Sequence, residues 1–186
     1  MNRRDALRNL ALFTGGMILA PSCNFDQEDI LQAYDNLKVT PSQSGLLASI
    51  ADTIIPPTTD IKGAADIRVQ DFILVMVNDC MKPEEQEMFM KGLSDFNSFS
   101  KNNAGKGFDN LAPAEREAVI IQGMALENED QQHITKFLQT TKRFTIQGFM
   151  ASEYMMTEVN PYSLIPGQYQ GEVLIANLKP ESQIHG

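Results

Sequence analysis

A chain of 186 residues is long enough to bury one substantial core, and its 42% hydrophobic and 21% charged residues are those of a folded protein. A formal charge of -9 and a pI near 4.7 exclude nucleic acid as a partner, because a phosphate backbone requires a basic patch. Two Cys and two His leave little material for a disulfide framework or a metal cluster.

Residues 1–22 read as an export signal. Arg3, Arg4 and Arg8 form a positive start, and the apolar run from Leu10 to Ala20 is too short to span a bilayer. Arg3-Arg4-Asp5-Ala6-Leu7-Arg8 resembles the twin-arginine signal of bacterial exports, with Leu7 at its apolar position. Asn2 and Ala6 depart from the Ser or Thr and the Phe common there, and an ordinary Sec signal is the alternative. Leu19-Ala-Pro-Ser-Cys23 resembles a lipobox, imperfect at Pro21, in which Cys23 becomes the acylated first residue of a lipoprotein rather than a structural or free thiol. Each buried acyl methylene contributes about 0.8 kcal/mol, so several chains would hold the protein to a membrane without a transmembrane helix. Removing residues 1–22 takes away three Arg and one Asp and leaves 12 basic against 23 acidic residues.

Residues 23–39 read as an acidic tether from the lipidated end, with room for a short helix from Gln27 to Asn36. The folded domain is expected over residues 40–179, with a disordered tail at 180–186. Thr40-Pro41-Ser42-Gln43 is a capping-box pattern with Pro at the first helical position. The helix behind it has an apolar side of Leu46, Leu47, Ile50, Ala51 and Ile54 and stops at Pro56-Pro57. After a loop to Ala65, Asp66 is a candidate N-cap for a second helix with Val69, Phe72, Ile73, Met76, Val77 and Cys80 on one stripe. Pro83 and Glu84, Glu85 and Glu87 open a third, with Phe89, Leu93, Phe96 and Phe99 inward, before a polar loop from Lys101 to Asn110. Leu111-Ala-Pro-Ala-Glu-Arg116 starts a fourth, apolar at Ala118, Val119, Ile121 and Ala125. A fifth spans about Gln131 to Met156, with Ile134, Phe137, Leu138, Thr141, Phe144, Thr145, Gly148 and Ser152 on one face. Strand alternation and internal repeats are absent. The fold class is all-α: about five helices in an irregular bundle with an extended C-terminal segment.

Gly148 and Ser152, four apart, leave a flat face that another backbone can approach. From Asn160 to Gly171 the chain cannot be helical, since Pro161 and Pro166 remove donors and Gly167 and Gly171 permit turns. Tyr162, Leu164, Ile165 and Tyr169 on that irregular backbone want a surface, either this protein's own helices or a partner's.

Catalytic motifs are nearly absent. One Asp130-x-x-His133 falls short of the paired motifs of a di-iron bundle and reads as a helix start with a solvated His. Haem, iron–sulfur and zinc spacings, the nucleophile elbow and the phosphate loop are missing. Met155-Met156 reads as adaptable packing. Glu153, between the small-residue face and the irregular segment, is expected to be partly buried. Cys80 is either a buried apolar residue, as its stripe favours, or a thiol available for intermolecular pairing.

Four segments together resemble the gluconate 2-dehydrogenase subunit 3 family. They are Ile50-Ala-Asp-Thr-Ile-Ile-Pro-Pro-Thr-Thr-Asp60 with Gly63-Ala64 and Val69-x-x-Phe72; Leu111-Ala-Pro-Ala-Glu-Arg116; Phe149-x-x-Ser152-Glu153; and Tyr162-x-x-x-Pro166-Gly167-x-Tyr169-x-Gly171. The twin-arginine-like leader is also typical of that family. The resemblance implies a non-catalytic small subunit without a cofactor of its own. Its partner would be a large flavoprotein of the glucose-methanol-choline type, holding FAD and oxidising a sugar or polyol in the periplasm. The small subunit's signal would carry both across the membrane, and electrons would pass to a cytochrome c or another acceptor. A lipid at Cys23 is not a general family feature and implies that this member anchors its own complex. On this reading Tyr162, Pro166, Gly167, Tyr169 and Gly171 shape the partner interface, with Glu153 and the Gly148 face behind them. The alternative is a stand-alone periplasmic lipoprotein that binds a small ligand between its helices.

Overall fold

The computed structural model describes Tyr34, residues 36–161 and Glu172. The signal at Arg3, Arg4 and Leu7, Cys23, nearly all of the Gln27–Asn36 helix, the interface residues Tyr162, Pro166, Gly167, Tyr169 and Gly171, and the 180–186 tail lie outside the described residues. Within them the fold is all-α and contains no strand. Five α-helices follow one another: α1 Pro41–Ile54, α2 Val69–Cys80, α3 Pro83–Ala104, α4 Pro113–Met124 and α5 Gln132–Met150. Two 3₁₀ turns (Phe108–Asn110 and Glu129–Gln131) and a π turn (Met155–Val159) complete the elements. None of the described helices is long and apolar enough to cross a membrane.

Three helices begin in the same way. Thr40-Pro-Ser-Gln43, Lys82-Pro-Glu-Glu85 and Ala112-Pro-Ala-Glu115 each place Pro at the first helical position and a Glu or Gln two residues later. That side chain reaches back to accept the N-cap amide, at 2.9 Å for Thr40, 3.1 Å for Lys82 and 2.8 Å for Ala112. Only Thr40 returns the bond, its hydroxyl accepting the Gln43 amide at 3.2 Å, because Lys82 and Ala112 carry no side-chain acceptor. Pro at this position removes one of the amides a helix start would otherwise leave unsatisfied.

Helix α5 is the hub. It packs against all four other α-helices, most extensively against α3. Its inward residues are Ile134, Phe137, Leu138, Thr141, Phe144, Thr145, Gly148 and Phe149, a stripe at i, i+3, i+4 and i+7. At the α3–α5 seam Gly92 lets the two backbones close in: a β-carbon there would meet Phe137 Cβ and the His133 carbonyl oxygen at 2.6 Å. Phe89, Phe96, Phe108 and Phe137 are fully enclosed there, with ring centroids 5.1 Å apart for Phe89–Phe137, 5.8 Å for Phe96–Phe137 and 5.2 Å for Phe96–Phe108. Each such ring contributes roughly 1.5–3 kcal/mol by leaving water.

The structure departs from expectation at several boundaries, each for a local reason. Tyr34, Leu37 and Val39 are buried, and the Asn36 amide donates to Asn78 Oδ1 at 3.0 Å, so part of the 23–39 stretch read as tether belongs to the packed domain. Helix α3 continues to Ala104 and closes on Gly105, whose φ of 74° suits a residue without a side chain. Phe108, set in what reads as a polar loop, is enclosed in the core, its amide donating to Asn97 Oδ1. Asp66 does not cap α2. Arg68 takes the N-cap position in a left-handed conformation (φ 56°) without a side-chain cap bond, and Asp66 instead accepts the Gly63 amide at 2.8 Å. In α4 the buried residues are Val119, Ile120 and Gly123, not Ala118, Ile121 and Ala125, and Ile121 is 59% exposed. A β-carbon at Gly123 would meet Leu138 Cδ1 at 2.5 Å, so it is the glycine that turns to α5 and sets the helix's rotation.

A candidate partner face at one end of the bundle

Helix α5 stops at Met150 rather than Met156. The Ser152 hydroxyl donates to the Phe149 carbonyl at 2.7 Å and accepts the Met155 amide at 3.2 Å, offering the backbone a local alternative to the helical ladder. The chain resumes in a wider coil, the π turn Met155–Val159, closed by the Asn160 amide donating to the Met155 carbonyl at 2.7 Å. Such turns are rare and often lie at functional places.

The loop from Pro56 to Arg68 packs against this turn. The Lys62 amide donates to Tyr154 Oη at 3.0 Å, the Lys62 ammonium lies 4.6 Å from the centre of the Tyr154 ring, and its Nζ lies 3.8 Å from a Glu158 carboxylate oxygen. Inside the loop, Thr58 and Ile61 close a tight turn, the Thr58 amide donating to the Ile61 carbonyl at 2.8 Å. At Gly63 a β-carbon would meet Asp52 Oδ1 at 2.5 Å and the Pro57 nitrogen at 2.7 Å, so the loop seats on the end of α1 only because that residue has no side chain. Arg68 is held left-handed beside it by its Nε donating to Asp71 Oδ2 at 2.7 Å. A non-glycine residue in that region costs roughly 1–2 kcal/mol, which the bridged junction of loop and helix sustains.

Segments far apart in the chain therefore meet at one end. The Ile50–Asp60 stretch, Gly63, Phe72, Phe149, Ser152 and Tyr154 all lie around this joint. The Leu111–Arg116 segment has separate work: Arg116 donates to the carbonyls of Leu111 and Asp109 at 3.1 and 2.7 Å and lies over the Phe108 ring, fastening the 3₁₀ turn to the core.

The individual expectations resolve unevenly. Gly148 is buried, and a β-carbon there would meet the Phe72 ring at 2.5 Å, so the flat face receives this protein's own α2 and not an outside backbone. Glu153 is exposed, not partly buried, because α5 has already ended; it lines a shallow depression of about 400 Å³ with Ile67, Ser152, Tyr154, Thr157 and Glu158. Met155 is buried and packs as expected, while its neighbour Met156 is 38% exposed. Cys80 is exposed: the inward stripe of Ile73, Leu74, Val77 and Asn78 passes on to half-buried Met81 and leaves it outside.

His133 is not a solvated helix start. Its side chain is 14% exposed, with Nε2 3.0 Å from Asp95 Oδ2, and Lys91 Nζ lies 2.9 Å from the same oxygen. Hydrogen bonding from Lys91 first, then the Lys91 and His133 charges, holds the Asp95 carboxyl below its usual range, against the opposing effect of burial. The Lys91–Asp95 pair, four apart, is legible in sequence; its His133 partner depends on the register of α3 against α5. Also missed was a scatter of apolar residues left in water at the end of the bundle, among them Ile146 and Met150, one turn apart and off the inward stripe of α5.

The class these features define is an all-α bundle, closed at the α3–α5 seam and open at the end where the loop and the π turn meet. The sequence model of the family described as Gluconate 2-dehydrogenase subunit 3 matches residues 41–167, and the chain belongs to that family. The match takes in all five helices, the loop, the π turn and, at its far limit, Pro166-Gly167, whereas Tyr169 and Gly171 lie beyond it. No curated protein and no solved structure matches the chain.

Proposed function

We propose that this chain is the non-catalytic small subunit of a periplasmic sugar or polyol dehydrogenase, in which the hydride chemistry and the FAD belong to a large flavoprotein of the glucose-methanol-choline type. The observation that carries the reading is the family match, which spans the entire helical bundle. On this reading the chain stabilises the flavoprotein, supplies the Arg3-Arg4 export signal for both, and holds the complex to the membrane through a lipid on Cys23. A cytochrome c is the electron acceptor that fits such a complex. Five of the eight large apolar residues exposed on the described surface belong to the loop tip, the last turns of α5 and the π turn, and such a grouping supports a binding role.

The test is co-expression of the full chain with a flavoprotein of that type from the same source. A stable complex in the periplasmic membrane fraction is expected. A flavoprotein equally soluble, active and exported without this chain refutes the reading. Two finer arms separate its parts. Replacing Arg3 and Arg4 with Lys should strand both proteins in the cytoplasm, and Cys23→Ser should abolish metabolic labelling with palmitate while leaving the complex intact.

A further inference from the structure

The described surface leaves eight large apolar residues exposed, and they are unevenly spread. Val75, Met88 and Ile121 stand singly on α2, α3 and α4, whereas Ile61, Ile146, Met150, Met156 and Val159 belong to the loop tip, the last turns of α5 and the π turn. Ile61 adjoins Lys62, and Val159 adjoins Glu158, so the Lys62–Tyr154–Glu158 joint draws the loop tip and the π turn together. Among the described residues around the loop tip and the π turn, the exposed carboxylates Asp60, Asp66, Glu153 and Glu158 outnumber the exposed cations Lys62 and Arg68, which are paired with Glu158 and Asp71.

We propose that this end, with Ile61, Met150, Met156 and Val159 at its centre and Asp60, Glu153 and Glu158 at its edge, is the docking surface for the partner subunit, and that the partner meets it with apolar side chains edged by Lys or Arg. The inference rests on the subunit reading above and adds to it which face binds and what chemistry receives it. Charge decides between occupants. A second copy in a two-fold contact would bring the same carboxylates against each other, which like-charge repulsion opposes. The chain's own Tyr162–Gly171 segment contains no charged residue and so brings no opposite charge to those carboxylates. A basic-edged partner satisfies both the apolar centre and the rim, the arrangement in which buried anchors supply affinity and rim charges supply rate and register.

The test uses the full chain in complex with the flavoprotein. Met150→Asp and Val159→Asp should each weaken the complex roughly ten-fold or more, with melting curves of the isolated subunit unchanged because both residues are already exposed. Met88→Asp and Ile121→Asp, on other faces, should bind as the wild type does. Glu158→Lys should slow association and flatten its salt dependence. Hydrogen exchange should show new protection at residues 58–62 and 153–160 on binding. The inference is overturned, with the subunit reading intact, if the wild type binds and the end-face variants bind equally well, or if Met88→Asp and Ile121→Asp weaken binding as much. Protection of the same amides in the isolated chain, by its own C-terminal segment or by self-association, also overturns it. Failure of the wild type to bind any such flavoprotein removes the subunit reading and this inference together.

Discussion

The α3–α5 seam and the loop–π-turn end are built from similar side chains and arrange them in opposite ways. At the seam, Gly92 brings two backbones together and four Phe rings vanish from water. At the end, Ser152 halts α5, a π turn widens the coil, and Met150, Met156 and Val159 remain in solvent. Close packing at the seam needs no further partner. The end is fastened within itself by Tyr154 and Lys62 yet leaves its apolar side chains uncovered. Order without burial is what a preformed contact surface requires, because little conformational entropy is then lost on binding.

The comparison breaks most visibly at the seam. Phe137→Ala should lower unfolding free energy by about 3–5 kcal/mol, measured by urea titration, since it removes a ring shared by Phe89 and Phe96. Gly92→Ala should cost about 1–3 kcal/mol or more, because its new methyl meets the His133 carbonyl, which cannot swing aside as a side-chain tip could. Well below their melting temperatures, both variants should still bind the proposed flavoprotein partner with near-native affinity. If either loses binding while folded, the division between a stabilising seam and a binding end fails.

At the end the expected change in stability is smaller. Tyr154→Phe deletes the acceptor for the Lys62 amide but keeps the ring beneath the ammonium, so the cost should be no more than about 0.5–1.5 kcal/mol. Its sharper signature is local: the Lys62 amide should exchange faster while amides of Phe89 and Phe137 keep their protection. Equal acceleration at the seam would mean that the two regions open together and are not separate units.

The seam was far more legible in the sequence than the end. Helix starts with Pro and a Glu or Gln two residues on announce themselves, and the α5 stripe has a clear helical period, so five helices and their inward Phe residues follow from local rules. Phe108 escaped because its neighbours are polar and its burial depends on Asn97 and Arg116 reaching it from other elements. The rotation of α4 escaped because Gly123 carries no hydrophobicity to count, although it is the residue that admits Leu138. At the end, the break at Ser152 turns on one hydroxyl competing with the backbone, and an unbroken helix to Met156 has an equally good period. Gly148 reads in the sequence as a place where another backbone could approach, and only the tertiary register shows that the Phe72 ring packs there instead.

The smallest effect should come from the rim of the seam. Asp95 has a folded-state pKa lowered chiefly by the Lys91 hydrogen bond. A depressed carboxyl contributes stability that is fully present above its unfolded value of about 3.9 and is lost as pH falls through the lower folded value. Asp95 is about half exposed, so solvent screening holds the contribution to roughly 0.2–1 kcal/mol. Asp95→Asn should therefore be slightly less stable than wild type at pH 7, and the gap should close as the wild-type carboxyl protonates, with a series of urea titrations from pH 7 down to pH 2 as the measurement. Added salt should narrow the gap at pH 7 as well. A gap that survives at low pH would mean that Asp95 acts through packing rather than charge, and that the helix register at the seam extends to its solvent edge.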